Sequence, residues 1–158
     1  MKKVYLGLNE FFKMYKKTIV LLNQSLTILF YILYPLNVIY VYLFQNKMLH
    51  NIILVPATSF LFVSLIRKII KRQRPYEKYH YQSMIEKESK ENSMPSRHVF
   101  SAVVIAMTFF YFNHFIGMIL LVLACCSAVV RVIGGVHYIS DVIIGFLLGI
   151  LAGLFLYL

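Results

Sequence analysis

Residues 131–158 read RVIGGVHYISDVIIGFLLGILAGLFLYL, and this stretch decides the fold. Its last twenty residues, 139–158, carry a single charge, Asp141. At about 1.5 Å per residue they are long enough as a helix to cross the roughly 30 Å hydrocarbon core of a bilayer. Toward the N-terminus, comparable apolar runs occupy 18–44, 52–70 and 116–136, and a shorter one occupies 98–113. The shorter run lies between a polar segment and the next span. Leaving it out of the crossings would put its neighbours on the wrong sides, so five spans are expected. The reading is an all-α, integral-membrane helical bundle, one domain over residues 1–158. Composition agrees, because 60% hydrophobic residues and a mean hydropathy of +0.74 exceed what a soluble domain of 158 residues usually carries.

The remaining segments organise around these spans. Residues 1–17 are basic, with Lys2, Lys3, Lys13, Lys16 and Lys17, and mix Leu6, Leu8, Phe11, Phe12 and Tyr15 with Asn9 and Glu10. This pattern predicts a helix lying in the membrane interface rather than crossing it. The opening Met1-Lys2-Lys3 is not followed by an apolar run with a small-residue cleavage site, so no secretory signal is expected. Residues 75–96, rich in Lys, Glu, Ser and Asn and bracketed by Pro75 and Pro95, read as a polar surface loop. Cys125 and Cys126 are adjacent within a span, diverge around a helix, and read as small packing residues. Pro35 falls inside the first span, where proline removes one intrahelical hydrogen bond. Gly145, Gly149 and Gly153 recur every four residues on one helix face, which suits either close packing within the chain or a homodimer contact.

A net charge of +10 would suggest nucleic acid as a partner in a soluble protein. In a chain of spans, flanking lysines and arginines instead set topology and meet anionic head groups, so no nucleic-acid partner is expected. By the same rule the basic N-terminus and the face it shares would fall on the cytoplasmic side, but arginines that serve a site confound this count, so the outer face stays open.

Crossings alternate in direction, so the end of the second span, the start of the third, the end of the fourth and the start of the fifth emerge on one face. The unusual polar residues lie there: Arg67, Lys68, Lys71, Arg72 and Arg74, then Ser96, Arg97 and His98, then Arg131, then His137 and Asp141. Asp141 is the only aspartate in the chain. A charged side chain at the centre of a span costs roughly 2.5 to 3.5 kcal/mol, so it needs a partner or a purpose. His137, four residues earlier on the same face, suits both a structural polar pair and an imidazole oriented as nucleophile or base. Ser96 is placed to cap a helix whose first amides and positive dipole end favour phosphate, with His98 beside it as a proton donor. A plain cap next to an interfacial histidine fits the same letters. Arginines at span ends are ordinary topology signals, yet Arg67, Arg74 and Arg131 gathered on one face also suit bidentate binding of phosphate oxygens. Taken together, the set points to phosphoryl chemistry.

At these residues the chain resembles the type 2 phosphatidic acid phosphatase family, part of a superfamily that includes vanadium haloperoxidases. Its members carry a basic residue, six positions and Arg-Pro; then Pro-Ser-x-His; then Arg-x5-His-x3-Asp. Here these blocks are Arg67 with Arg74-Pro75, Pro95-Ser96-Arg97-His98, and Arg131 with His137 and Asp141. The chain departs from the pattern at Arg67, where lysine is usual, at Arg97, where glycine is usual, and at Val130, where serine is frequent. The resemblance implies a cell-membrane, multi-pass lipid phosphatase with no cofactor and no metal. It implies that His137 attacks phosphorus, Asp141 orients it, and His98 protonates the leaving group. Arg67, Arg74, Ser96, Arg97 and Arg131, with Lys68 sharing the duty of Arg67, would hold the phosphoryl oxygens. The implied substrate is an isoprenoid pyrophosphate such as undecaprenyl pyrophosphate, phosphatidic acid or phosphatidylglycerol phosphate. A lipid phosphotransferase of the same family, or a non-enzymatic binder or carrier of anionic lipid, would also gather arginines at helix ends.

Overall fold

The computed structural model describes residues 2–85 and 92–157. It is helical almost throughout, with no strand among the described residues. The elements are α1 (Lys2–Phe12), α2 (Lys16–Phe44), α3 (Leu49–Ile70), α4 (Pro75–Tyr79), α5 (Arg97–Phe112), α6 (His114–Ile133) and α7 (Ile139–Leu154). Single 3₁₀ turns follow α1, α2 and α7. Local chemistry accounts for the boundaries. Lys71, in the left-handed region at φ 45°, stops α3. Pro75 opens α4, where its missing N–H costs nothing. Asn113 caps α6 by accepting a hydrogen bond from the Ile116 N–H at 3.1 Å. α2 continues through Pro35 as one helix.

Four helical stretches are long and apolar enough to cross a membrane: Lys3–Phe44, Leu49–Tyr79, His114–Ile133 and Ile139–Tyr157. Their outward faces are apolar, as at Leu61, Phe62, Leu65 and Ile69 on α3 and Leu147 and Leu151 on α7, which is the surface a lipid-solvated bundle presents. The protein is an integral-membrane helical bundle. α5, the expected fifth crossing, is shorter at 16 residues, or about 24 Å. Its residues Val99, Phe100 and Ala102 through Thr108 are all buried, so α5 is the central helix, encased by α2, α3, α6 and α7. A helix solvated by protein rather than lipid need not match the bilayer thickness. One polar link crosses this core: Asn37 on α2 donates to the Thr108 hydroxyl on α5 at 2.8 Å.

The glycine stripe packs within the chain, one of the two uses its spacing suited: Gly145, Gly149 and Gly153 are buried against α5 and the residue before it, facing Ser96, Val103 and Met107. The structure corrects two expectations. Cys125 and Cys126 are free and exposed on the outer face of α6 rather than packed inside. The 75–96 segment is not simply a surface loop, since it begins with α4 and buries Met84 and Ile85 against Ile19 and Val136. The Met84 N–H donates to the Gly134 carbonyl at 3.0 Å, which docks this segment on the α6–α7 turn. Residues 86–91, including Lys90, lie outside the described residues.

The close approach at Gly145 carries a prediction. A Cβ there would stand 2.7 Å from the Ser96 carbonyl oxygen, which is backbone and cannot swing aside. Gly145→Ala is therefore expected to destabilise the protein by about 1–3 kcal/mol, read as a lower thermal midpoint in detergent. An unchanged midpoint would show that α5 and α7 do not touch there.

Candidate active site

Asp141 is the third residue of α7 and is fully buried. Its Oδ2 accepts a hydrogen bond from the Tyr138 N–H at 2.9 Å, satisfying one free amide of the helix start. Its Oδ1 accepts from Arg72 Nη1 at 2.8 Å. The turn before α7 uses Gly135 at φ 80°, a backbone conformation that glycine adopts without strain, and it delivers His137 into the same interior at 1% exposure. His137 Nδ1 lies 3.5 Å from Asp141 Oδ2, an ion-pair distance slightly longer than a formed hydrogen bond. The expected pair thus meets, though His137 lies in the turn before α7 rather than on the helix, with Nδ1 toward the carboxylate. Burial lowers the His137 pKa to about 4; Arg74 and Arg131 add to that effect, while Asp141 opposes it. The imidazole is accordingly neutral across the physiological range.

The other motif residues converge on this pair from three helix ends. Ser96 precedes α5, and its N–H donates to the Asp141 carbonyl at 3.0 Å, joining the α5 start to the α7 start. Its hydroxyl, expected to cap the helix, does not do so; it is buried with no partner among the described residues. Arg67, at the end of α3, donates to the Pro95 carbonyl at 3.0 Å. Arg74 donates to the Val136 carbonyl, beside His137, at 3.0 Å. Arg131, at the end of α6, is 1% exposed, and its Nε and Nη1 hydrogen-bond to nothing among the described residues. Buried N–H and O–H groups are almost always paired, so donors left over in a cationic interior are chemically able to bind the oxygens of an anion.

Arg97 and His98 are the first two residues of α5 and line a cavity of about 220 Å³ with Phe30, Tyr31, Phe60 and Ser127. The Arg97 guanidinium lies 5.7 Å from the centre of the Phe60 ring. Lys68 is exposed on α3 while its neighbour Arg67 is buried, so the structure does not bring Lys68 into the buried set. About 100° of helical rotation separates consecutive residues, and only one of the two can face inward. No three of His, Cys, Asp and Glu cluster as a metal would require among the described residues.

The motif pattern missed Arg72, which is the ion-pair partner of Asp141 and also bonds the Ser140 hydroxyl at 2.8 Å. It missed a tyrosine cluster as well: Tyr5 of α1 stacks on Tyr79 at 6.1 Å and meets Tyr138 edge-on at 5.4 Å. The Tyr5 hydroxyl accepts from the Ile139 N–H at 3.2 Å, so α1 is tied to the start of α7. The need of a lone buried aspartate for a cation was the one available signal for Arg72.

These features define a class: an integral-membrane helical bundle with a buried histidine–aspartate pair inside an arginine cluster. The PAP2 superfamily model matches residues 48–158, and the chain belongs to that superfamily. The chain is similar to the bacitracin transport permease protein BcrC of Bacillus licheniformis, being 40% identical over 67 residues. The similarity covers 42% of this chain and 33% of that protein, so the chain spans about a third of this curated relative. Two crystal structures share the fold. LpxE of Aquifex aeolicus has a TM-score of 0.74 at 21% identity, over 98% of this chain and 93% of that one. The first transmembrane PAP2 type phosphatidylglycerolphosphate phosphatase from Bacillus subtilis has a TM-score of 0.66 at 25% identity, over 98% and 90%.

Proposed function

We propose that the protein is a cell-membrane lipid phosphatase that cleaves a phosphomonoester or pyrophosphate through a phospho-histidine intermediate. The observation that carries this reading is the neutral, buried His137 held against Asp141 within reach of buried arginine donors. With Nδ1 toward the carboxylate, Nε2 is the attacking nitrogen. It forms the P–N bond as the P–O bond to the lipid breaks, and His98 gives its proton to the leaving oxygen. Water, deprotonated by His98, then attacks phosphorus; the P–N bond breaks and phosphate departs. Arg67, Arg74, Ser96 and Arg131 stabilise the charge on the equatorial oxygens in both steps.

The cavity at His98 supports a lipid substrate, because it runs from Arg97 and His98 between apolar side chains such as Leu26, Phe30 and Ile105. A head group at the cationic end would leave its chain among them. Isoprenoid pyrophosphate is the first substrate reading, drawn from the family resemblance. Phosphatidylglycerol phosphate follows from the likeness to the Bacillus subtilis phosphatidylglycerolphosphate phosphatase, and phosphatidic acid from the family resemblance.

In this mechanism the arginines supply the positive charge that phosphoryl transfer needs. Phosphate release by detergent-purified protein from a panel of lipid phosphates and pyrophosphates is therefore expected to persist in EDTA. Complete loss that is reversed by adding a divalent cation would overturn the mechanism. Failure of well-folded protein to release phosphate from any member would overturn the phosphatase assignment.

A further inference from the structure

Arg72 occupies one of the six unspecified positions of the first sequence block, and it touches the parts of the chain that carry the other two. Its own segment leads into Arg74-Pro75. Its carbonyl accepts from the Ser93 N–H at 2.8 Å, and its Nη1 lies 3.4 Å from the Met94 sulfur, just before Pro95-Ser96. The same nitrogen donates to the Ser140 hydroxyl and to Asp141 Oδ1, each at 2.8 Å. The guanidinium carbon sits 4.1 Å from the centre of the Tyr138 ring, in cation–π contact. Asp141 is 0% exposed, whereas the Arg72 side chain is 33% exposed, so the arginine closes the site from the solvent side while holding a carboxylate that water does not reach.

The geometry of the carboxylate gives this contact a consequence. With Oδ1 fixed by Arg72 and Oδ2 by the Tyr138 N–H, the carboxylate plane has no rotational freedom, and Oδ2 faces His137 Nδ1. Without Arg72, one strong restraint remains, and the carboxylate can turn about χ2 so that Oδ2 leaves the imidazole. We infer that Arg72 is a positioning residue for the proposed reaction: it acts through Asp141 to fix the tautomer and orientation of His137, and it does not bind the substrate phosphate. This inference rests on the phosphatase reading for its kinetics but not for its spectroscopic signature.

The test compares wild type with Arg72→Gln and Arg72→Lys in detergent micelles. One readout is ¹⁵N NMR of the imidazoles, with His137 assigned by its loss in His137→Asn. In wild type His137 is expected to be the Nδ1–H tautomer, and in Arg72→Gln a mixture of both. In turnover, Arg72→Gln is expected to lower kcat about 10- to 100-fold with KM within about 3-fold, and Arg72→Lys to recover most of that loss. A raised KM at unchanged kcat would make Arg72 a ligand of the substrate and overturn the inference. So would identical His137 signals in wild type and Arg72→Gln, or a rate that falls only in proportion to the folded fraction. If wild type releases no phosphate, the phosphatase reading fails, and the His137 signals alone decide the role of Arg72.

Discussion

His137→Ala is expected to lower phosphate release from lipid phosphates by at least about four orders of magnitude, the scale seen when a covalent nucleophile is removed. No other imidazole takes its place at Asp141, whose two oxygens are already held by Arg72 and the Tyr138 amide. Binding of a lipid phosphate should survive in the variant, because Arg67, Arg74 and Arg131 are untouched. The two readouts together separate an enzyme from a lipid carrier, which would lose nothing on this substitution. The pH dependence has a definite sign. Burial disfavours the imidazolium and sets the His137 pKa near 4, so the nucleophile is neutral above that value and its contribution to the rate disappears as pH falls through it. Measured turnover by a folded His137→Ala protein would remove His137 from the nucleophile's role.

Much of this site was legible in the sequence because membrane spans are long and their periodicity is simple. The run at 52–70 became Leu49–Ile70, and the run at 98–113 became Arg97–Phe112, each within a few residues. Once directions alternate, four helix ends must share a face, so Arg67, Ser96, Arg131 and Asp141 fall together without any knowledge of side-chain contacts. Spacing also suggested that His137 meets Asp141, but the structure brings them together through the turn before α7 rather than along one helix face. What stayed hidden lies where the chain has no period. Lys71, Arg72, Gln73 and Arg74 form an irregular link, and nothing in their order says that Arg72 turns to Asp141 while Arg74 turns to the Val136 carbonyl. Tyr5, Tyr79 and Tyr138 meet from three distant segments, a contact that only tertiary folding creates. The glycine stripe stayed open for the opposite reason: its pattern is clear but is the same for packing within a chain and between chains, and the contacts with Val103 and Met107 show the first.

Arg131→Met is expected to separate stability from activity, leaving the thermal midpoint in detergent unchanged or raised while kcat/KM falls about 100- to 1000-fold. A guanidinium at 1% exposure has been taken out of water, and in the free protein its Nε and Nη1 recover no hydrogen bond from the described residues. Methionine fills comparable space along the same helix without that desolvation cost, and the free protein loses no hydrogen bond at Nε or Nη1. The transition state loses a donor aimed at developing negative charge in a water-poor interior, where such donors count most. An arginine serving only the fold would behave the other way, with stability and activity falling together. Ligand linkage gives a second reading of the same difference. Saturating inorganic phosphate should raise the thermal midpoint of wild type, because the anion satisfies buried donors that are otherwise left over, and should raise that of Arg131→Met much less. Equal stabilisation of both proteins by phosphate would place the anion away from Arg131 and would remove the reason for burying that charge between α6 and the histidine turn.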